Sequence, residues 1–243
     1  MKVSAIVEAR MKSTRLPGKV LMPIGNKNSL EHIQNRLSQL NDIKFCVATT
    51  KHESDDEIEK WANSNRASVY RGSENDVLSR VLEAANDLSA DVVVEITGDC
   101  PFVDPILVDQ FLEILICNNA DYVSNNIVST FPDGFDIQVF RLEALEESNV
   151  LARSPEEREH VTMHIRQNPQ MFKTINVVAP KPYRRPDLSV TLDTIEDLEV
   201  LRLIDRHFAG VEIANYMEIT DLLLSNPDVA RINSGVKRKG YGI

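Results

Sequence analysis

Cysteine is scarce in this chain of 243 residues, with Cys46, Cys100 and Cys117 the only three. The number is odd and no Cys-x-x-Cys spacing occurs. That argues against a disulfide framework and against a structural zinc site, and leaves reduced thiols. No stretch approaches the roughly 18 consecutive apolar residues of a membrane span. Met1-Lys2 runs straight into an apolar segment, so no leader is expected, and the expected setting is cytoplasmic with no membrane partner. The glycine-rich phosphate loops are missing too: neither Gly-x-x-x-x-Gly-Lys-Ser/Thr nor Gly-x-Gly-x-x-Gly is found, which removes the P-loop and the dinucleotide fingerprint. Positive charge is in the minority, with 27 Lys and Arg against 37 Asp and Glu and a formal net charge of -10. A broad basic face for nucleic acid is therefore not expected. Internal repeats and low-complexity linkers are also absent.

What remains is an ordinary globular composition, 42% hydrophobic and 26% charged, long enough to bury the core of one large α/β domain. Strand-like and helix-like segments alternate through the first half, which predicts βαβ units and a mainly parallel sheet flanked by helices. Val3 to Val7 reads as the first strand. Asn28-Ser-Leu-Glu31 has the form of a capping box opening a helix with Leu30, Ile33, Leu37 and Leu40 at helical spacing. Lys44 to Thr49 reads as a strand, and Asp55 to Glu57 places acids in the first turn of a helix carrying Ile58, Trp61 and Ala62, with Trp61 in the core. Val77 to Leu88 is strongly periodic, and Asp91 to Thr97 is the clearest buried strand. Asp104-Pro105 predicts a capped helix start with proline at its first position.

Further on, Asp121 to Ser124 and Phe135 to Phe140 read as strands around a polar loop, residues 125 to 134. Pro155 to Gln167 reads as a helix, Phe172 to Val178 as a strand, and Leu188 to Leu192 as one more. Thr194-x-x-Asp197 is a capping-box start to a helix from Leu198 to Phe208, closed by Gly210. Residues 214 to 232 read as helix in two pieces broken at Pro227. The expected organisation is a single domain over residues 1–243. In chain order its parts cover about 1–120, about 121–190, and C-terminal helices 194–232.

Against the acidic background, residues 8 to 19 stand out. Arg10, Lys12, Arg15 and Lys19 crowd one loop after the first strand, with no carboxylate following among them. Such a cluster repels itself unless an anion relieves it, and the end of a first strand is where α/β sheets bind ligands. Arg offers a fork for phosphate oxygens and Lys a point charge, a mixture suited to a triphosphate. A plain solvated turn is the alternative. Two aspartates sit at similar points, Asp99 after the buried strand and Asp193 after Leu188 to Leu192. Two strand-end carboxylates beside a basic loop suit Mg²⁺, which takes one or two carboxylates and completes its shell with phosphate and water. Aspartate after a strand is equally a common helix cap. The basic run Lys237-Arg238-Lys239 lies among glycines near the terminus and reads as a frayed end.

The loop's pattern, Ala9-Arg10-x-x-Ser13-Thr14-Arg15-Leu16-Pro17-Gly18-Lys19, resembles the signature of the cytidylyltransferases that make CMP-activated acidic sugars. The resemblance is to the CMP-Kdo synthetase type, closest to its SpsF branch of spore coat polysaccharide synthesis. Thr97-Gly-Asp-Cys-Pro101 is similar to the family's Gly-Asp-x-Pro segment. Leu192-Asp-Thr-Ile-Glu-Asp-Leu-Glu199 is similar to its Asp-Thr-Pro-Glu-Asp-Leu-Glu segment, with Ile195 where proline is usual. The resemblance implies a nucleotide-diphospho-sugar transferase fold, Rossmann-like and of the GT-A kind. It also implies CTP and a small acidic sugar as partners, with the nucleotide bound in about 1–120 and the sugar-binding and dimerisation part in about 121–190, and Mg²⁺ as cofactor held by Asp99 and Asp193.

It further implies that Arg10 and Lys19, with Arg15 as a third, contact the triphosphate, and that Ala9 and Ser13 lie in the nucleotide site. Arg71 to Arg80 is loosely similar to the segment near the pyrimidine, which would put Ser73 and Asp76 near the base; a helix N-cap is the competing reading. The loop Phe131-Pro-Asp-Gly-Phe-Asp136 and the run Arg158-Glu-His160 resemble SpsF-branch motifs. They would bring Asp133, Asp136, Arg158 and His160 to the acceptor sugar, although Pro-Asp-Gly is also an ordinary turn. The family's frequent homodimer is a further expectation, with residues 125–155 at the interface.

Cys100 beside Asp99 invites a nucleophile reading, which is set aside because no histidine is near it in sequence and direct transfer needs no covalent intermediate. No general base is identifiable. Two rival functions stay open: a glycosyltransferase of similar fold, which usually holds its metal through an Asp-x-Asp tripeptide absent here, and a non-catalytic nucleotide-binding homologue.

Overall fold

The computed structural model describes residues 1–211 and 213–238. β1 (Val3–Glu8) leads through the basic loop into a small hairpin, β2 (Pro23–Ile24) and β3 (Lys27–Asn28), and then α1 (Ser29–Leu37). Strict alternation follows: β4 (Ile43–Thr50), α2 (Asp56–Ser64), β5 (Ser68–Gly72), α3 (Val77–Asp87), β6 (Val92–Thr97) and α4 (Pro105–Cys117). Next come β7 (Tyr122–Ser124), β8 (Gln138–Arg141), α5 (Leu142–Leu151), α6 (Pro155–Glu159), α7 (Met163–Gln167) and β9 (Thr174–Asn176). The chain finishes with α8 (Ile195–His207), α9 (Tyr216–Ser225) and α10 (Pro227–Arg231).

One seven-stranded sheet runs through the molecule in the order β5-β4-β1-β6-β8-β7-β9. β8 is antiparallel to β6 and β7, and the other pairings are parallel. This is a single α/β domain with a mostly parallel sheet.

Each face of the sheet collects its own core, because successive strand side chains point to opposite sides. Ala5 and Val7 pack with Ile33 and Leu37 of α1, Phe111 of α4 and Leu201 of α8. Ile6 packs with Leu78 and Val81 of α3 and Leu145 of α5. Burying each such Leu or Ile is worth about 2 kcal/mol. That burial, more than helix propensity, holds helices of this length. The predicted caps form as read. Asn28 with Glu31 and Thr194 with Asp197 make capping boxes, and Asp104 accepts from Ile106 N ahead of Pro105.

Four segments depart from the sequence reading. Leu188 to Leu192 is extended but joins no strand of the sheet; its alternation reflects burial of Leu188, Val190 and Leu192, while its backbone pairs with Asp133 and Asp99 in loops. The predicted helix over 155–167 breaks between Glu159 and Met163 into α6 and α7. The strand predicted over Phe172 to Val178 contracts to β9. Phe135 to Ile137 run ahead of β8 without pairing in the sheet, since Asn125 takes their backbone groups at Phe135 O and Ile137 N.

Candidate active site

The site grows from the C-terminal ends of β1 and β6. Gly98 N donates to Glu8 O at 2.8 Å, and a Cβ on Gly98 would lie 2.7 Å from that oxygen, so the crossing admits only glycine. Asp99 follows directly, facing the basic loop. The loop takes its shape from buried Asp55, whose Oδ1 accepts from Met11 N at 2.8 Å while Oδ2 accepts from the hydroxyls of Thr49 and Thr50. Burial works against that carboxylate, but the hydrogen bonds from Thr50, Met11 and Thr49 more than offset it and hold its pKa below the usual range. Gly18, at φ +74°, closes the loop by donating to Met11 O at 2.8 Å, which turns Lys19 inward.

Lys19 then bridges the two strand-end carboxylates. Its Nζ donates to Asp99 Oδ2 at 2.5 Å and to Asp193 Oδ1 at 2.8 Å. Arg15 Nη2 lies 2.6 Å from Asp193 Oδ2. Burial lowers the Lys19 pKa, yet Asp99 and Asp193 raise it further, so it stays charged. For Asp99 burial raises the carboxyl, and Lys19 followed by Thr97 brings it below its ordinary value. Leu192 N donates to Asp99 O at 2.8 Å, which laces the segment carrying Asp193 to the Asp99 turn. The loop cations are therefore not all unpaired, as their spacing in sequence suggests. Lys19 and Arg15 meet carboxylates that arrive from distant parts of the chain, and Lys12 lies 3.8 Å from half-buried Glu74. Arg10 has no ion pair among the described residues.

These groups line a cleft of about 310 Å³ whose walls include Ala9, Arg10, Ser13, Arg15, Lys19, Asp99, Asp133, His160 and Asp193. Lys12 and four of the predicted nucleotide- and sugar-binding residues lie outside that lining. Asp76 caps α3 by accepting from Ser79 N at 2.9 Å, and Ser73 Oγ accepts from Asp76 N at 3.0 Å. Arg158 spends its guanidinium on Asn149, the Ala152 carbonyl and Asp76, tying α5 and α6 to the start of α3. Asp136 accepts from Gly134 N at 3.1 Å, bracing the turn that presents Asp133. Burial, followed by repulsion from Asp99 and Asp193, raises the Asp133 carboxyl against the pull of Arg238. Cys100 is buried with Sγ 3.1 Å from Thr97 Oγ1, and burial, with Asp99 next, pushes its thiol well up, as befits a packed side chain rather than a nucleophile.

The cleft also holds groups the sequence reading passed over. Arg80 is buried in α3, with Nη1 donating to Ser73 O at 2.6 Å and Nη2 lying 3.9 Å from Glu8. A charged residue interrupting the apolar face of α3 was the readable signal. Arg238, in the run read as a frayed end, reaches the cleft and pairs with Asp197; its neighbour Lys239 lies outside the described residues. Nothing local in Lys-Arg-Lys announces that, since its partners stand 40 and more residues away.

A doubly flanked, mainly parallel sheet with a cationic loop set against carboxylates at its C-terminal edge has the architecture of a nucleotide-binding α/β enzyme. The chain belongs to the cytidylyltransferase family, whose sequence profile matches residues 4–221. It is 39% identical to Uncharacterized protein MJ1063 of Methanocaldococcus jannaschii, over 99% of this chain and 98% of that one. It is 32% identical to the spore coat polysaccharide biosynthesis protein SpsF of Bacillus subtilis, over 93% of this chain and 95% of that one. A 3-deoxy-manno-octulosonate cytidylyltransferase of Geobacter metallireducens is 26% identical over 55% of this chain and 58% of its own length. Among solved structures, a cytidylyltransferase from Leptospira borgpetersenii superposes with a TM-score of 0.88 at 31% identity, covering 98% of this chain and 99% of that chain.

Proposed function

We propose that this protein is a sugar nucleotidyltransferase that transfers CMP from CTP to an acidic sugar and releases pyrophosphate, in the synthesis of a surface polysaccharide. The observation that carries the reading is the convergence of Asp99 and Asp193 on one cation, Lys19 Nζ, beside Arg10, which has no ion pair among the described residues. The names of the SpsF and octulosonate relatives support the choice of nucleotide and sugar class. In the reaction a sugar hydroxyl oxygen forms a bond to the α-phosphorus as the bond from that phosphorus to the bridging β-phosphate oxygen breaks. The hydroxyl proton leaves to solvent, and pyrophosphate carries away the electron pair. Arg10, Arg15 and Lys19 offset charge on the triphosphate, and Ala9 and Ser13 bound its path. Asp133 and His160 line the same cleft, which supports assigning them to the acceptor sugar.

The donor set also fits Mg²⁺. Both carboxylates point hard oxygens at one place already occupied by positive charge. Among the described residues no group of three or more acidic, His or Cys side chains forms a cage, so phosphate and water would complete the shell. When bound, the ion would supply charge relief on the phosphate oxygens.

The test is pyrophosphate release by the purified protein with Mg²⁺, offering CTP, UTP, ATP and GTP against a panel of acidic sugars. Turnover with CTP and one sugar, absent in Asp99→Ala, is the expected result. Release with a different nucleotide, or none with any pair, removes the reading. The homodimer belongs to the same proposal, with exposed Val128, Val150 and Leu151 in the 125–155 region as its apolar contacts. A monomer mass in sedimentation equilibrium would remove it.

A further inference from the structure

After α10 the chain turns back over the segment that precedes α8. Asn233 Nδ2 donates to Ser189 O at 3.1 Å and to Asp197 Oδ1 at 2.8 Å. Arg238 then grips Asp197 with both arms of its guanidinium, Nη2 to Oδ1 at 2.6 Å and Nη1 to Oδ2 at 2.9 Å. Its Nε lies 3.6 Å from Asp133 Oδ2 and its Nη1 4.0 Å from Asp193 Oδ2. Arg15 Nη1 donates to Lys237 O at 3.1 Å while its Nη2 meets Asp193. Residues 233–238 thus touch both the 189–197 segment and the basic loop after β1.

Asp197 is the pivot of this arrangement. It has no exposed surface, and its Oδ2 also accepts from Asp193 N at 3.0 Å and Thr194 N at 2.9 Å. One carboxylate therefore fixes the backbone of Asp193 and is itself fixed by Arg238. Bidentate pairing to a planar guanidinium sets the orientation of the carboxylate as well as its charge. A capping residue alone needs no such partner, as the α1 box illustrates, closed by the Asn28 and Glu31 side chains.

We propose that residues 233–238 form a strap across the substrate cleft, with Arg238 the positioning residue that sets Asp193 through Asp197 and flanks Asp133. Docking of the strap and binding of an anionic ligand reinforce each other, because a polyphosphate beside Arg10 and Lys19 adds negative charge within a Debye length of the Arg238 guanidinium. The identity of that ligand rests on the nucleotidyl-transfer reading; the docking of the strap does not.

The test uses the full chain and reads trypsin cleavage after Lys237 by intact mass, alongside calorimetric titration with CTP and Mg²⁺. Cleavage in Arg238→Met is expected to be at least about tenfold faster than in the natural chain, and CTP affinity weaker by about tenfold, with Arg238→Lys recovering part of the affinity. CTP should slow cleavage of the natural chain and leave that of Arg238→Met unchanged. The double variant Arg238→Met with Asp197→Asn removes the stranded buried charge, so it should stay folded and still show fast cleavage. Equal cleavage rates in the natural chain and both variants overturn the docked strap, and equal CTP affinities overturn its role in the cleft. If no form of the protein binds CTP, the nucleotide reading fails while the cleavage comparison still decides whether the strap is docked.

Discussion

Single side chains in the cleft are set by charge that is only just balanced. Lys19 separates two carboxylates that would otherwise face each other, so Lys19→Met should cut the kcat/KM of pyrophosphate release on the order of 100-fold. A value within twofold of the natural enzyme would show that Lys19 is structural only. Glu95 is a different case. It lies in the sheet with Gln138 Nε2 donating to Oε2 at 2.8 Å, and burial, then the neighbouring Glu8 carboxyl, raises its pKa well above the ordinary value. The folded protein holds that proton where the unfolded chain releases it, so stability is lost as pH rises above the unfolded pKa of about 4.5. Glu95→Gln supplies a neutral isostere, and its melting temperature should gain on the natural protein as pH rises above about 5; a gap that does not change with pH contradicts this. The thiols give a third check. Burial pushes Cys46 up to about 12 and Cys100 well up, while Cys117 is exposed, so alkylation of the native protein followed by mass spectrometry should label Cys117 alone. At this scale the sequence was legible where a residue's role is local. Asp99 and Lys19 could be picked out from the turn and the loop that carry them. Arg238 and Glu95 act through partners that only folding supplies, and a one-dimensional pattern does not hold them, whereas Arg80 shows only as a charge interrupting the apolar face of α3.

Elements were legible where a terminus advertises itself. Asp104-Pro105 is such a signal, and the structure adds a second duty, since Asp104 Oδ2 accepts from Tyr216 N at 2.8 Å and joins the start of α4 to the start of α9. Asp104→Ala should therefore cost more than a simple cap, about 2 to 3 kcal/mol in denaturant unfolding, against about 1 kcal/mol for an isolated one. A loss at or below the lower figure would mean the link to α9 contributes nothing. Elements without such signals were missed. α5 carries Leu142, Leu145, Val150 and Leu151 without a single apolar stripe, and β5 is an edge strand whose residues are mostly half-buried. The 188–192 segment shows the converse. Its period of two was real, but alternation reports which side chains are buried and not which backbone groups pair. Loops at Asp133 and Asp99 satisfy those groups instead, and that substitution is what carries Asp193 to the cleft.

For the whole molecule, the sheet brings three distant pieces of chain to one edge: the loop after β1, the turn after β6 and the N-terminus of α8. Lys237 and Arg238 then contact them. Alternating strands and helices made the parallel sheet predictable, whereas the late antiparallel β8 and the returning tail depend on contacts between remote segments. No helix among the described residues is long and apolar enough to cross a membrane. Nucleotidyl transfer makes one bond, that between the α-phosphorus of CTP and an acceptor oxygen. CTP labelled at the α-phosphorus, incubated with Mg²⁺ and the panel of acidic sugars, measures it directly. The label should move to a sugar phosphodiester, the released pyrophosphate should be unlabelled, and Asp99→Ala should abolish the transfer. Label that stays in CTP with every acceptor, or that departs in a nucleoside diphosphate, would contradict it.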